Sequence, residues 1–374
     1  PYSSIVKILN SIKAYKISID IPTGLDSDKG FTEEAIIADL TITLGELKKG
    51  LFFGDGYTFA GEVEKGSIGI STDYFQKFTT MEYLVEPEDA FNGLPVKRKN
   101  LHKYSAGKVL TIAGSGSLPG AAVLTAKSVL KIGAGASILC FPKSVRSLIH
   151  KKLDEVVVHT YNDNDKEFFS EENVVELDEK IKWADVITIG PGLGREKSST
   201  KAVLKLIKKY PSKKMVIDAD AVFALGKGKY RKLNLKNKIL TPHFGEFANL
   251  IRIKTEELKK DLLKHGKNFT KSTGAYLVLK SSPTIIFNPA GEAFINTTGN
   301  PSLAKFGTGD VLTGMIGGLL SQKKDIEAAI ISAVYLHSLT ADILVHNRTE
   351  YDILASDLID NLPRSIKFLQ KSIV

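Results

Sequence analysis

Apolar runs separated by glycine and polar loops divide the chain into short strand-like segments. KISIDIP (Lys16 to Pro22) and ADLTITLG (Ala38 to Gly45) read as strands, and EKGSIGIS, ending near Ser71, as a third. Turn-rich TGLDSDKG and KKGLFFGDGYTFAG separate them. From about Thr80 to Asn100 the periodicity is lost, and MEYLVEPEDAFNGLPVKRKN, with Pro87 and Pro95, reads as a linker. GKVLTIAGS (Gly107 to Ser115) then opens a regular series. PGAAVLTAKSVLKIGAG is a helix with small residues on one face. ASILCF, DVITIG, MVIDAD, KILTPH, AYLVLK, TIIFN and AFINT are strands, and Ile326 to Ile373 is two helices. Strands that alternate with helices predict a doubly wound α/β sheet, with ligands at the carboxyl ends of its strands. The segment before the linker has strands but few helices to cover them, and reads as the later part of a smaller α/β domain whose first half is missing. The expected division is residues 1–80, a linker over 81–100, and a large domain over 101–374.

One stretch organises the rest: TGNPSLAKFGTGDVLTGMIGGLL, Thr298 to Leu320. A Gly-Asn-Pro loop passes through Gly307-Thr308-Gly309-Asp310 into an apolar, glycine-studded segment that reads as a buried helix. The two glycines let backbone amides approach a ligand, and amides at a helix N-terminus favour an anion. Asp310 falls in the first turn, where a carboxylate is favoured in its ionised form, available as a base beside a phosphate. A bare GxGD is as often an ordinary capped glycine loop; the surrounding GNPxxAxxGxGDVLTG shifts the reading toward phosphoryl transfer.

Composition narrows this. The 374 residues suggest two domains, and 43% hydrophobic with 25% charged residues is ordinary for a globular chain. Cys140 is the lone cysteine, which excludes a disulfide framework and points to a reducing, cytoplasmic setting. No apolar run reads as long enough to span a bilayer, and the first residues lack a signal-peptide pattern. The net charge is +9, but only seven of the 51 basic residues are arginine. Arginine is favoured where base edges and phosphate forks are read, so a lysine-rich solvated surface is expected, with neither nucleic acid nor membrane as a partner. Part of that charge could steer an anionic nucleotide.

Other loops carry weaker signals. Gly114 to Gly120 misses the dinucleotide fingerprint by one residue and contains Pro119, but Gly120-Ala121-Ala122 allows a close backbone approach. Gly190-Pro191-Gly192-Leu193-Gly194 offers a side-chain-free wall, or simply a tight turn. In Thr241-Pro242-His243-Phe244-Gly245-Glu246, His243 and Glu246 could orient a substrate or a hydrated metal, or be structural. Asp218 and Asp220 end a strand in alternate directions, so only one is expected to face the loop side. Lys280-Ser281-Ser282-Pro283-Thr284 suits nucleotide phosphates, or is a hairpin turn. Zinc spacing, a nucleophile elbow and a Walker A loop are absent from the sequence.

GKVLTIAGS, PGAA, GPGLG, IDADA, TPHFGE, LKSSPT and GNPSLAKFGTGDVLTG, in this order, make the chain from about Lys97 to Val374 resemble the nucleotide-dependent NAD(P)H-hydrate dehydratases. That resemblance implies a ribokinase-like fold. The first 75 or so residues resemble the end of the epimerase domain that precedes the dehydratase in bifunctional nicotinamide nucleotide repair enzymes, with Asp20-Ile21-Pro22-Thr23-Gly24-Leu25-Asp26 and ADLTITLGELKKGL as the matching stretches. It implies a partial Rossmann-like domain in which Asp20 contacts the hydrate and Thr23 helps hold potassium. The family's Asn-Asn-Gly-Gly-Asp-Gly loop is absent, so this domain reads as truncated, without epimerase activity.

In the larger part the resemblance implies hydrate contacts at Ala121, Gly194, His243 and Asp310. It implies nucleotide contacts over Lys280, Ser281, Ser282, Pro283 and Thr284 and at Gly309, beside the amides of Gly307 and Thr308. Lys305-Phe306 departs from the small residues usual there. The implied reaction expels water from NAD(P)H hydrate at the expense of ADP or ATP, with Asp310 as base and magnesium on the phosphates, for which Glu246 is a weak candidate ligand. A homo-oligomer is expected. A small-molecule kinase of the same fold would use Asp310 identically, and a non-catalytic nucleotide-binding module remains a further alternative.

Overall fold

The computed structural model describes residues 2–373 apart from 76, 98, 100, 101, 104 and 324. Pro1, Asn100, Leu101 and Val374, which bound the expected segments, lie outside them. A three-stranded parallel sheet, ordered β1 (Ile17–Ile19), β2 (Leu40–Leu44), β3 (Glu62–Gly66), forms the amino-terminal part. Its third strand starts earlier than the apolar pattern suggested. β2 pairs from Leu40 opposite Glu62 to Leu44 opposite Gly66, and no partner backbone remains for residues 67–71. The polar EVEK hides this strand from a hydrophobic reading.

The second sheet has ten strands: β4 (Glu82–Leu84), β5 (Lys108–Ile112), β6 (Ala136–Pro142), β7 (Val157–Tyr161), β8 (Val186–Ile189), β9 (Lys214–Ile217), β10 (Lys238–Leu240), β11 (Tyr276–Leu279), β12 (Thr284–Phe287) and β13 (Ala293–Asn296). Their spatial order is β4-β13-β12-β11-β10-β9-β8-β5-β6-β7. Every pairing is parallel except the two made by β12. The chain runs outward from β5 through β6 and β7, then returns to the other side of β5 as β8. That reversal opens a crevice at the carboxyl ends of β5 and β8, the usual ligand position in such sheets.

β-branched strand residues are buried on both faces, as a helix-covered parallel sheet requires. Ile187, Ile189, Met215, Ile217 and Leu240 face one helical layer, which includes Lys197–Lys209, Ala219–Leu225 and Phe244–Ile251. Val186, Val216, Ile239 and Val278 face the other, built from Thr308–Gln322, Ile326–Val345 and Ala355–Ile373. The glycines of Thr308–Gln322 are packing positions. A Cβ on Gly314 would lie 2.1 Å from the Thr125 carbonyl oxygen, and one on Gly317 would lie 2.3 Å from Thr188 Cγ2. The helix therefore sits close to both Pro119–Lys131 and the sheet.

Within the expected linker, residues 82–92 are built into the large sheet and its helical layer. β4 pairs in parallel with β13, and the Pro87–Asn92 helix lies against Ile326–Val345, where a Cβ on Gly93 would come 2.1 Å from the Ala328 carbonyl oxygen. A three-residue strand and a six-residue helix are too short to register as periodicity. The Ile326–Val345 helix corrects a second expectation: it is long and apolar enough to cross a bilayer by length and composition, but 78% of its most apolar window is buried in the protein. The amino-terminal part is joined to the large sheet. Phe53 is fully buried in its core, Asp55 pairs with Lys259 at 2.8 Å, and Tyr57 donates its hydroxyl to the Thr297 carbonyl at 3.0 Å.

Candidate active site

The informative loops converge at the carboxyl edge. After β5, the Gly114 amide donates to the Pro191 carbonyl at 2.9 Å, joining the first glycine loop to the loop after β8. Gly192, at φ 63°, packs so closely that a Cβ would lie 2.6 Å from the Leu118 carbonyl oxygen and 3.2 Å from Ala121 Cβ. Ala121 and the GPGLG loop therefore form one continuous small-residue wall. The Gly194 amide donates to Asp220 Oδ2 at 3.0 Å, while Arg195 Nε donates to Oδ1 at 2.8 Å.

After β9 the chain turns immediately into a helix. Asp218 is its N-terminal flanking residue, and Ala219 holds a left-handed φ of 46°. Asp218 and Asp220 both act toward this edge, contrary to strand alternation, because the strand ends at Ile217. Asp218 is buried at 1% exposure and both its oxygens are engaged: Lys280 Nζ at 2.7 Å and Thr313 Oγ1 at 2.6 Å. Thr313 stands one turn beyond Asp310 on the same helix.

Gly307, at φ 95°, precedes the Thr308–Gln322 helix, and a Cβ there would press to 2.7 Å on Leu124 Cδ1. A non-glycine residue is disfavoured on both counts. Thr308 shapes the turn, its hydroxyl donating to the carbonyls of Leu303 and Lys305 at 2.8 and 2.9 Å. His337, pushed down to about 4 by burial, is neutral and donates Nε2–H to the Thr308 carbonyl at 2.9 Å. A Cβ on Gly309 would lie 3.3 Å from Lys280 Nζ, which places that amine directly beside the turn.

Asp310 departs from its expected ionised state. Burial first, and then the charge of Asp218, push its carboxyl up to about 7; Lys280 opposes the rise and Asp220 adds to it. The helix N-terminus does not offset desolvation beside two other carboxylates. The Lys280 ammonium would be lowered by burial alone, yet its pKa is raised, chiefly by the charge and hydrogen bond of Asp218, with Glu246 and Asp310 adding to it.

His243 and Lys280 meet as an isolated parallel bridge. His243 Nδ1 accepts from the amides of Gly245 and Glu246, at 3.1 and 3.3 Å, and Glu246 Oε2 accepts from the His243 amide at 2.9 Å. TPHFGE is thus a reciprocal helix cap that fixes the imidazole while leaving it exposed. Burial raises the Glu246 carboxyl, with Lys280 opposing. The hydroxyls over 281–284 serve the hairpin itself: Ser281 donates to the Pro283 carbonyl at 2.6 Å, and Thr284 to the Ser281 carbonyl at 3.3 Å. Ser282 is exposed and precedes a cis bond to Pro283.

Phe306 is fully exposed, while Lys305 donates to the carbonyls of Glu350, Tyr351 and Ile353 at 3.1, 2.7 and 2.7 Å. Asp342 was missed. It accepts from the Gly299 amide at 2.8 Å and from Asn300 Nδ2 at 2.9 Å, and so sets the Gly-Asn-Pro loop. An acid near the end of an apolar 20-residue helix, whose other acid, Glu327, sits in the first turn, was the available signal. Thr313 was likewise legible only as a polar residue three positions after Asp310.

Asp20 and Thr23 belong to the small sheet and do not join this cluster. Asp20, at φ 71°, accepts from the Leu44 amide at 2.9 Å and from Lys48 at 2.5 Å. Thr23 is exposed. Among the described residues, no group of three or more His, Cys, Asp or Glu is placed to hold a metal.

Comparison with known proteins agrees with this geometry. The NAD(P)H-hydrate dehydratase family model matches residues 109–364, and the model for the YjeF-related protein N-terminus matches residues 1–50. The bifunctional NAD(P)H-hydrate repair enzyme of Moorella thermoacetica is 31% identical over 99% of this chain and 70% of its own length. Its Escherichia coli counterpart is 31% identical over 97% of this chain and 68% of its own. The ADP/ATP-dependent NAD(P)H-hydrate dehydratase of Bacillus subtilis, co-crystallised with ATP and Mg2+, superposes with a TM-score of 0.67 at 32% identity, covering 77% of this chain and 98% of that one. The ten-stranded α/β sheet, the convergent glycine loops and a family match over most of its length place this chain in the NAD(P)H-hydrate dehydratase family.

Proposed function

We propose that the chain catalyses nucleotide-dependent dehydration of (6S)-NAD(P)H hydrate, converting ADP to AMP or ATP to ADP, with release of phosphate. The observation that carries this is the Asp310 carboxyl, raised to about 7 beside Lys280 at a glycine-lined helix N-terminus. A base of that pKa is half ionised near neutrality and accepts a hydroxyl proton with little driving-force penalty. The hydrate hydroxyl is a poor leaving group. Its oxygen attacks the terminal phosphorus as Asp310 takes its proton, and the bond from that phosphorus to the nucleotide's bridging oxygen breaks. The amides of Gly307 to Asp310 and the Lys280 ammonium stabilise the charge on the transferring group. The carbon–oxygen bond then breaks as phosphate departs, and loss of a proton from the adjacent carbon restores the double bond.

Ala121, Gly194 and His243 are assigned to the hydrate, which the small-residue wall and the exposed, capped imidazole support. Lys280, Ser281, Ser282, Pro283, Thr284, Gly307, Thr308 and Gly309 are assigned to the nucleotide. Magnesium fits as an ion carried by nucleotide phosphates rather than caged by protein, and neutralises their charge. Glu246 is a weak candidate to position its waters. In the amino-terminal part, Asp20 and Thr23 are assigned to an epimerase-type site with potassium at Thr23, supported by the left-handed backbone of Asp20. The division between the two parts is placed before β4, near residue 80.

The test supplies hydrated NADH, nucleotide and magnesium, and follows absorbance at the reduced-nicotinamide wavelength. Recovery with stoichiometric phosphate supports the reading; a stable phosphorylated alcohol identifies a kinase instead.

A further inference from the structure

A second concentration of charge lies away from this site. The Lys197–Lys209 helix, the turn after Ala219–Leu225 and the end of Phe244–Ile251 enclose a cleft of about 600 Å3. All three helices belong to the layer on the face of the sheet opposite the Asp310 helix. The site loops lie at the N-termini of these helices, and the cleft lies toward their other ends.

Lys201, Lys205 and Lys208 enter the cleft from one helix face, at spacings of four and three residues. Lys227, Lys229 and Lys232 approach from the opposite wall. Arg252, held at φ 66°, completes it with a guanidinium against Gly228, where a Cβ would come 3.0 Å from Nε. Seven of the eleven lining residues are cationic and one, Glu171, is acidic. Among the described residues none of the seven makes an ion pair within 4.0 Å; Lys205 donates only to the Glu171 carbonyl, at 3.2 Å. Leu204 and Leu233 form a floor packed on the core. Convergent unpaired cations in a concave site focus a positive potential, and they repel one another until an anion fills it.

We infer that this cleft binds a linear polyphosphate chain, free or as the tail of a nucleotide, separately from the catalytic site. Lysines supply point charges suited to successive phosphates. Among the described residues no aromatic side chain lines the cleft to stack on a base, so the phosphates rather than a base are recognised.

The experiment is calorimetric titration of the full chain with inorganic tripolyphosphate, and in parallel with ATP, at fixed ionic strength. The comparison is with the triple variant Lys201→Glu, Lys208→Glu, Lys229→Glu and with its milder Lys→Gln counterpart. These exposed side chains lie outside the catalytic machinery, so hydrate turnover is expected to be unchanged and reports intact folding. Tripolyphosphate affinity at one site per chain is expected to fall at least tenfold in the charge-reversed protein and by less in the Gln protein. ATP that loses one of two sites identifies a nucleotide tail as ligand; ATP that keeps a single unaffected site identifies the free chain. Unchanged tripolyphosphate binding in both variants would overturn the inference. So would tighter binding of a single-stranded RNA oligonucleotide that the charge reversal abolishes, because the cleft would then be part of a nucleic-acid surface.

Discussion

Lys280 Nζ lies 2.7 Å from Asp218 Oδ1, and the same amine stands where a Cβ of Gly309 would meet it at 3.3 Å. One buried carboxylate thus fixes the lysine that follows β11 against the turn that opens the Asp310 helix, and through Thr313 it grips that helix as well. Three chain segments, far apart in sequence, are registered by a single side chain.

Asp218→Asn separates charge from shape. Removing its negative charge lowers the Asp310 pKa, since Asp218 raises it, and frees the Lys280 ammonium to lower it further. The acid limb of kcat/KM is therefore expected to move to lower pH, with turnover falling about tenfold through loosened positioning. A purely structural Asp218 would change stability and leave the limb in place; a pH–rate profile distinguishes the two.

Asp310→Asn is expected to lose about a hundredfold or more in turnover while retaining nucleotide binding, and to lose the acid limb near pH 7. Near-normal single-turnover rates would remove the base assignment.

The same substitution tests the linkage. Asp310 carries a folded pKa raised above its ordinary value, so the folded protein binds more protons than the unfolded chain between about pH 4 and about 7. Stability from this group is therefore present at low pH and is lost as pH rises through that window. Asp310→Asn should gain about 1–2 kcal/mol at pH 8, after discounting for solvent screening, and almost nothing at pH 4. Thermal melts at the two pH values measure it.

Lys280→Ala removes the amine beside Gly309. The nucleotide KM is expected to rise more than the hydrate KM, and calorimetry with nucleotide alone should show the loss directly. Unchanged affinity would place the phosphates elsewhere.

Gly192→Ala pushes a methyl group against the Leu118 carbonyl and Ala121 at a left-handed φ. A stability loss of about 1–2 kcal/mol and a raised hydrate KM are expected, with nucleotide affinity preserved. Equal effects on both ligands would show that the wall is not specific to the hydrate.

The sequence by itself determined the sheet class, most of its strands and the loops that form the site. β-branched runs ending in glycine turns leave few other folds, and GTGD before an apolar helix is a local signal. β3, with its polar EVEK, starts earlier than its apolar part suggests, and β4, β7 and the six-residue Pro87–Asn92 helix escaped because most of their residues are exposed or half-buried and carry little of the apolar pattern. Only the tertiary structure decided the electrostatics. Asp310 reads locally as an ionised N-terminal carboxylate, but Asp218, 92 positions earlier, and burial in the crevice reverse that. The pairing of Asp342 with the Gly-Asn-Pro loop, and the gathering of scattered lysines around one cleft, likewise depend on distances that sequence spacing does not encode. Hydrophobic pattern is a property of neighbours along the chain; a pKa is a property of neighbours in space.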